Sequence, residues 1–348
     1  MRIGILTAGG DCPGLNAVIR AITRKGIQDG DNIIGILHGW KGMLTAQHEE
    51  LTLRAVSGLI HRGGTILHTS RTNPFREENG GQKIVATFRR LNLDALITIG
   101  GDDTLGVASR LFEEFELPVV GVPKTIDNDL MGTDVTFGFD TAVSIVTEAI
   151  DRIHTTAESH DRVMVIEVMG RHTGWIAVHA GLAGGADIIL IPEKPFDLDE
   201  VAEVILARHA IGKDFSIVVA AEGAAVKTPD HVGPILADGQ EKQVDEFGHV
   251  RLGGIGQYLA REIEQRTGFE TRVTVLGHIQ RGGSPTARDR ILATLFGVKA
   301  HELVREGRFG LMAAMVNGKI DAVPIKDAVN ELKTVDMGLF RIAEIFFG

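Results

Sequence analysis

The sequence predicts an α/β protein whose parallel sheets are covered by helices on both faces. Three observations predict it. Apolar runs of strand length recur along the 348 residues, with helix-length stretches between them. These runs are continuous rather than alternating, which is the pattern of strands buried on both faces. Glycine makes up 43 of the 348 residues, about 12 in 100 against an average near 7, and many glycines are paired directly after the apolar runs.

The elements follow in order. Strands are predicted at Arg2–Thr7, Asn32–Leu37, Ala95–Ile99, Val119–Pro123, Val163–Val168, Asp187–Ile191, Ser216–Ala221 and Arg272–Gly277. Helices are predicted at Leu15–Gln28, Leu105–Phe115, Thr141–Ser159, Gly174–Ala183, Leu198–Arg208, Gly253–Gln265 and Ala287–Glu306. The run Ala95-Leu96-Ile97-Thr98-Ile99 breaks into Gly100-Gly101, and a helical pattern from Thr104 to Phe112 follows. The stretch Lys227–Val250 has little periodicity and reads as a surface insertion.

Length and charge limit the rest. The chain is long enough for two α/β domains, or for one large domain with a cleft. A formal net charge of −10 argues against nucleic acid or an anionic membrane as the main partner. No run approaches the length of a transmembrane span, and the opening MRIGILTAGG reads as a first strand rather than a signal peptide. The single cysteine, Cys12, excludes internal disulfides and fits a reducing cytoplasm. It reads as a small residue in a tight loop rather than as a catalytic thiol.

Six polar, glycine-rich loops follow the predicted strands: LTAGGDCPG, IGGDDT, VPKTIDND, VMGRHTGW, AAEG and LGHIQRGGSP. Ligands of parallel sheets sit beyond the carboxyl ends of the strands. There is no Walker A pattern and no Gly-x-Gly-x-x-Gly after a strand, which removes the P-loop kinases and the common dinucleotide fingerprint. Gly9-Gly10 and Gly100-Gly101 each form a strand, glycine turn and helix start, which present N–H groups and a helix dipole to an anion. Either unit alone also reads as a tight turn with a helix cap.

In PKTIDND, residues Lys124, Thr125, Asp127 and Asp129 gather an ammonium, a hydroxyl and two carboxylates at one strand end. A capped turn is the plainer reading, but the set suits the deprotonation of a hydroxyl. Phosphoryl transfer needs a positioned base, metal-bridged phosphate oxygens and cationic clamps. Asp127 and Asp129 are candidate bases, Asp102 is a candidate magnesium ligand, and Arg71, Arg171 and Lys124 are candidate cations. Arg171, His278 and Arg281 lie beside glycine-rich main chain, a combination suited to a sugar phosphate.

The segments LTAGGDCPGLNAVIR, RGGT…SR, IGGDDT, TIDND, MGRHTGW, AAEG and LGHIQRGGSP occur in this order from Arg2 to about Leu303. Together they resemble the phosphofructokinase family. The resemblance implies two Rossmann-like, three-layer α/β domains with the active site in the cleft between them. Residues 1–138 plus about 280–325 are expected to bind the phosphate donor and Mg2+. Residues of about 139–279 plus 326–348 are expected to bind fructose 6-phosphate.

By the same resemblance, Asp127 is the base for the sugar 1-hydroxyl, supported by Asp129, with Arg171 and Lys124 also catalytic and Asp102 holding the metal. Thr125, Met169, Gly170, Arg171, Glu222, His278 and Arg281 are implied to surround fructose 6-phosphate. Arg162 and Arg272 are implied to reach its 6-phosphate from a neighbouring subunit, so a homo-oligomer, dimer or tetramer, is expected. Gly10, Arg71, Asp103 and Lys124 are the implied phosphate-donor contacts.

Two positions bear on the donor. ATP-using bacterial members resemble Gly-Gly-Asp-Gly-[Ser/Thr] in the turn and Pro-Gly-Thr-Ile-Asp-Asn-Asp in the later loop, where this chain has Asp103 and Lys124. A carboxylate at 103 fills the space that glycine leaves and repels an α-phosphate, by about 4 kcal/mol at ~4 Å and an effective dielectric of about 20. Lys124 sets a cation beside the transferred phosphate. The pair resembles the pyrophosphate-dependent branch. The expected reaction is reversible, Mg2+-dependent transfer from pyrophosphate to the 1-hydroxyl of fructose 6-phosphate, giving fructose 1,6-bisphosphate and phosphate. The alternative is an ATP-dependent 6-phosphofructokinase. NAD kinase shares the Gly-Gly-Asp turn but does not account for TIDND, MGRHTGW and GHIQRGG. A non-catalytic sugar-phosphate sensor would be expected to have lost Asp127. Arg20, Arg24 and Lys213 stand near effector positions of allosteric relatives, in surroundings that depart from that pattern, and read as solvated cations.

Overall fold

Buried β-branched residues build the first sheet. Ile3, Ile5, Ile97, Ile99, Val120 and Val122 have no exposed surface, and they belong to three adjacent parallel strands, Arg2–Thr7, Ala95–Gly100 and Val119–Thr125. The computed structural model describes residues 1–228, 231–235, 245–248 and 252–348. These divide into two compact units, Met1–Thr141 with Arg281–Leu332, and Ala142–Gln280 with Lys333–Gly348. Among the described residues no helix is long and apolar enough to cross a membrane.

In the first unit the sheet runs from Lys319–Pro324 through Leu311–Val316, Val119–Thr125, Ala95–Gly100, Arg2–Thr7 and Asn32–Ile36 to His48–Leu51. Its register matters more than its order. Thr7 pairs with Ile99 and Gly100 pairs with Pro123, so the loops after three strands emerge at one edge of the sheet. The helices Leu15–Gln28 and Ala287–Arg305 pack on one another in this unit.

The expectation of purely parallel sheets is corrected at both borders. His48–Leu51 and Lys319–Pro324 pair antiparallel with their neighbours. His48–Leu51 is polar with three exposed residues, and Lys319–Pro324 is interrupted by Lys319 and Asp321 and has no buried residue, so neither reads as a buried apolar strand. Charged residues on such edges also discourage pairing with another chain. The strands Phe137–Gly138 and Leu311–Val316 and the helices Trp40–Thr45, Gly80–Arg90, Ile325–Val329 and Met337–Glu344 are also absent from the apolar-pattern reading.

The second unit holds a parallel sheet ordered Thr271–Val275, Val163–Val168, Ser216–Ala221 and Ile188–Leu190. Val165, Val218, Ile205, Leu259 and Ile263 form the centre of its core. Val168 pairs with Ala221 and Val275 with Glu167, which again sets several strand ends level. The expected insertion at Lys227–Val250 begins as a hairpin, Ala225–Thr228 against His231–Pro234. Residues 229–230, 236–244 and 249–251 of that region lie outside the described residues.

One buried charge network ties the first unit together. Asp31, whose side chain has no exposed surface, accepts from the Met1 ammonium at 2.7 Å, pairs with His301 Nε2 at 2.8 Å and accepts from Arg305 Nη1 at 3.0 Å. Burial pushes its carboxyl up, but the hydrogen bonds from the ammonium and His301, with the charge of Arg305, hold it below its ordinary value. The sign follows from linkage. A carboxyl depressed in the folded state contributes stability that is complete above the unfolded value, about 3.9, and is lost as the pH falls through the folded value. Asp31→Asn should therefore cost about 1–3 kcal/mol near neutral pH, because it weakens the buried acceptor on which the partly exposed Met1 ammonium and Arg305 converge. Thermal melts across pH should show the gap to the wild type closing only below about pH 4. A gap that is constant down to pH 2 would refute this account of Asp31.

Candidate active site

Helix Asp102–Phe115 begins directly after strand Ala95–Gly100. Gly101 caps it with extended backbone, and Leu105 N–H donates to the Gly101 carbonyl at 2.9 Å. Gly100 has no room for a side chain, since a Cβ there would lie 2.2 Å from Thr104 Cβ. The helix starts two residues before the Thr104 pattern, so Asp102 and Asp103 belong to its first turn rather than to the preceding loop. Carboxylates there are favoured by the helix dipole. A dipole end already answered by two carboxylates is a poor cradle for a further bare anion, and a better one for a phosphate that brings its own cation.

Lys124 lies on the adjacent strand, only 4% exposed, and its ammonium donates to the Gly10 carbonyl. Burial is the main cause that lowers its pKa; Arg281 lowers it further, while Cys12, Asp102 and Asp11 oppose the shift. Arg281 Nη1 donates to the Asp11 carbonyl at 3.3 Å. Its guanidinium lies so close to Gly10 that a Cβ on that glycine would meet Nη1 at 2.6 Å. Two cations thus cap successive carbonyls of one loop. The Gly9 N–H donates to the Ser70 carbonyl at 3.0 Å, and the Thr69 hydroxyl donates to the Gly9 carbonyl at 2.6 Å. Arg71, exposed, follows directly after this tie. Cys12 is buried, its thiol pushed up to about 12 by burial, and it donates to the Phe137 carbonyl at 3.7 Å. This is packing rather than a reactive thiol.

The loop after Lys124 is an ordered turn. The Asp127 N–H donates to the Thr125 hydroxyl at 3.0 Å, the Thr136 N–H donates to Asn128 Oδ1 at 3.2 Å, and the Thr136 hydroxyl donates to the Thr125 carbonyl at 2.7 Å. Asn128 takes the left-handed φ of 52° that this turn needs. The Asp129 carboxyl is pushed up to about 8 by burial first, and then by the charges of Asp127 and Asp102. Asp127 stays the candidate base of this turn, with Asp129 beside it as the candidate support.

Among the described residues no three His, Cys, Asp or Glu side chains converge as a ready metal site. Mg2+ is usually held by one or two carboxylates, waters and the substrate's phosphate oxygens. Asp102, whose charge is felt by both Lys124 and Asp129, suits that mode.

In the second unit the candidate residues fall at two opposite ends of the sheet. Met169, Gly170, Arg171 and Glu222 follow the strand ends. Met169 N–H donates to Gln280 Oε1 at 3.2 Å, Glu222 N–H to the Val168 carbonyl at 2.8 Å, and Gly223 N–H to the Gly170 carbonyl at 3.0 Å. A Cβ on Gly223 would lie 2.0 Å from the Arg171 carbonyl oxygen, so this glycine is required for the close approach of two loops. Arg171 Nη1 is 3.9 Å from Asp245 Oδ2. His278 is exposed on the short 3₁₀ turn Gly277–Arg281. Arg162 and Arg272 lie instead where their strands begin, a strand of six residues away from Met169, or about 20 Å. Thr125 and Arg281 belong to the first unit, where Arg281 lies beside Gly10. Arg20 and Arg24, with Lys25, line a depression of ≈ 410 Å³ on the first unit, while Lys213 belongs to the second.

The family model described as Phosphofructokinase matches residues 2–304. The chain belongs to the phosphofructokinase family. It is therefore a phosphotransferase. It is 55% identical over 349 residues, covering 100% of both chains, to a pyrophosphate–fructose 6-phosphate 1-phosphotransferase of Streptomyces coelicolor. It is also 52% identical, over 99% of both chains, to the ATP-dependent 6-phosphofructokinase 3 of the same organism. Among solved structures it is similar to Pichia pastoris phosphofructokinase in the T-state, with a TM-score of 0.82 and 33% identity, covering 99% of this chain and 36% of that one. Members of the phosphofructokinase family carrying either donor's name thus match at nearly equal identity.

Several residues that shape the site escaped the sequence reading. Thr69 and Ser70 tie the Arg71 segment to Gly9, Gln280 holds the Met169 backbone, Asp245 pairs with Arg171, and Glu270 contacts both Arg162 and Arg272. Gln280 stood inside GHIQRGG and the hydroxyls stood directly before Arg71, so proximity to a cationic motif was the available signal. Two glycines separate function from folding here. Gly10→Ala displaces only the flexible end of Arg281 and should leave the melting temperature within about 2 °C while raising the phosphate-donor KM. Gly100→Ala strikes the buried Thr104 and should lower the melting temperature by several degrees. Melting curves and donor KM values on both variants check this; a Gly10→Ala protein with unaltered donor KM would contradict it.

Proposed function

We propose that this phosphofructokinase family member transfers a phosphoryl group from pyrophosphate to the 1-hydroxyl of fructose 6-phosphate, reversibly. The observation that carries the reading is the pair Asp103 and Lys124: a carboxylate in the first turn of helix Asp102–Phe115, and a buried ammonium bonded to the Gly10 carbonyl. A nucleotide would have to bring its α-phosphate and nucleoside past the Asp103 carboxylate. Pyrophosphate ends before that point and gains the charge of Lys124. The 55% identity to a pyrophosphate-using relative agrees with this, and the 52% identity to an ATP-using one means that likeness alone does not choose the donor.

In this reading Asp127 takes the proton of the sugar 1-hydroxyl, and Asp129, in the same turn, supports it. Lys124, Arg171 and Arg71 answer the charge that develops on the transferred group. Mg2+, when bound, neutralises phosphate oxygens, and Asp102 is the residue that would hold it. Gly10, Arg71, Asp103 and Lys124 line the donor. Thr125, Met169, Gly170, Arg171, Glu222, His278 and Arg281 serve fructose 6-phosphate. Arg162 and Arg272, at the far ends of their strands, serve the 6-phosphate held by another copy, so the working enzyme is a homo-oligomer. The lone buried cysteine fits a cytoplasmic enzyme.

Two variants test these roles. Asp127→Ser should lower kcat by several orders of magnitude and leave the fructose 6-phosphate KM within a few-fold; near-normal turnover would remove Asp127 as the base. The double variant Asp103→Gly with Lys124→Gly should lose pyrophosphate use and gain ATP use. Measured as the ratio of kcat/KM for the two donors, it should shift by about tenfold or more. An unchanged ratio would overturn the argument from charge and volume.

A further inference from the structure

Arg162 and Arg272 share a single carboxylate oxygen. Arg162 Nη2 lies 2.9 Å from Glu270 Oε1, and Arg272 Nη2 donates to that same oxygen. Arg272 Nη1 also donates to the Thr271 carbonyl at 3.1 Å. The backbone fixes Glu270 at this place, because its carbonyl accepts the Val163 N–H at 3.1 Å, directly beside Arg162. Strands Val163–Val168 and Thr271–Val275 begin their pairing here, in register Thr271 with Val163 and Arg272 with Met164.

Two guanidinium groups at this separation repel one another, and exposed arginine side chains ordinarily turn apart into water. The shared oxygen holds them together. The hydrogen bond from Arg162 is the main cause that keeps the Glu270 carboxyl below its ordinary range, with the charges of both arginines adding to it. The cluster is open to solute: the Glu270 side chain is 40% exposed and that of Arg272 is 52% exposed. One carboxylate against two guanidiniums leaves net positive charge, and each guanidinium presents several N–H donors, of which Glu270 takes one. A doubly charged phosphate monoester is the ligand that suits such a pair.

We propose that Glu270 is a positioning residue that preassembles Arg162 and Arg272 into one phosphate-binding unit before the sugar phosphate arrives. The inference rests on the reading above that this arginine pair binds the 6-phosphate of fructose 6-phosphate. Glu270 does not itself touch the sugar. It fixes two long side chains that would otherwise be immobilised only on binding, and so lowers the ordering cost of that step.

The experiment compares Glu270→Gln, Glu270→Asp, Arg162→Ala and the double variant Arg162→Ala with Glu270→Gln by steady-state kinetics. Glu270→Gln should raise the fructose 6-phosphate KM by about five- to tenfold, with kcat and the pyrophosphate KM within about twofold. Glu270→Asp should recover part of the loss. In the Arg162→Ala background, whose fructose 6-phosphate KM is already raised, the glutamine substitution should add nothing. A fall in KM for Glu270→Gln would mean that the carboxylate competes with phosphate, and an unchanged KM would mean that it holds nothing in place; either overturns the proposal. If Arg162→Ala leaves the fructose 6-phosphate KM unaltered, the reading of the arginine pair itself fails, whatever Glu270→Gln does.

Discussion

A buried ammonium answered by a backbone carbonyl is the interaction on which the first unit's chemistry depends. Lys124 is 4% exposed and donates to Gly10, so its charge must be balanced by what surrounds it rather than by water. Asp102 and Asp11 supply part of that balance, and Arg281 works against it. Burial first, and then the charges of Asp127 and of the same Asp102, push the Asp129 carboxyl up. One cation and a handful of carboxylates are therefore coupled through loops that the sheet register sets at the same edge.

In the proposed function that coupling bears on what the site accepts. Carboxylates in the first turn of helix Asp102–Phe115 use the dipole end that a nucleotide-binding turn would offer to phosphate. On the proposed reading charge and volume together favour a short, metal-neutralised donor. In the second unit, the distance along strand Val163–Val168 divides the cationic residues into two groups. One surrounds the loops after the strands, and the other, Arg162 with Arg272, gathers around Glu270 where the strands begin. On the proposed reading a phosphate at the second place meets side chains that are already paired, which would make preorganisation the controlling quantity there.

Much of this was legible in the residues. Continuous β-branched runs ending in paired glycines mark buried strands feeding anion-facing turns, and strands Arg2–Thr7, Val163–Val168 and Ser216–Ala221 run as the apolar pattern indicates. Other features carried no such signal. The helix at Asp102 begins with two carboxylates, so apolar periodicity starts later than the helix does. Edge strand His48–Leu51 reads as a polar loop because nothing covers its first three residues. The position of Arg281 against Gly10 follows from a return of the chain to the first unit, which local pattern does not encode. Glu270 looks like an ordinary surface acid until the register of two strands places it between two arginines.

The most direct measurement is the initial rate with fructose 6-phosphate and Mg2+, comparing pyrophosphate with ATP at matched concentrations on the unaltered enzyme. If Asp103 and Lys124 select the donor by charge and size, pyrophosphate should be used at least about tenfold faster. A rate with ATP equal to or above that with pyrophosphate would contradict the account and make the doubled carboxylate a feature of the metal site alone.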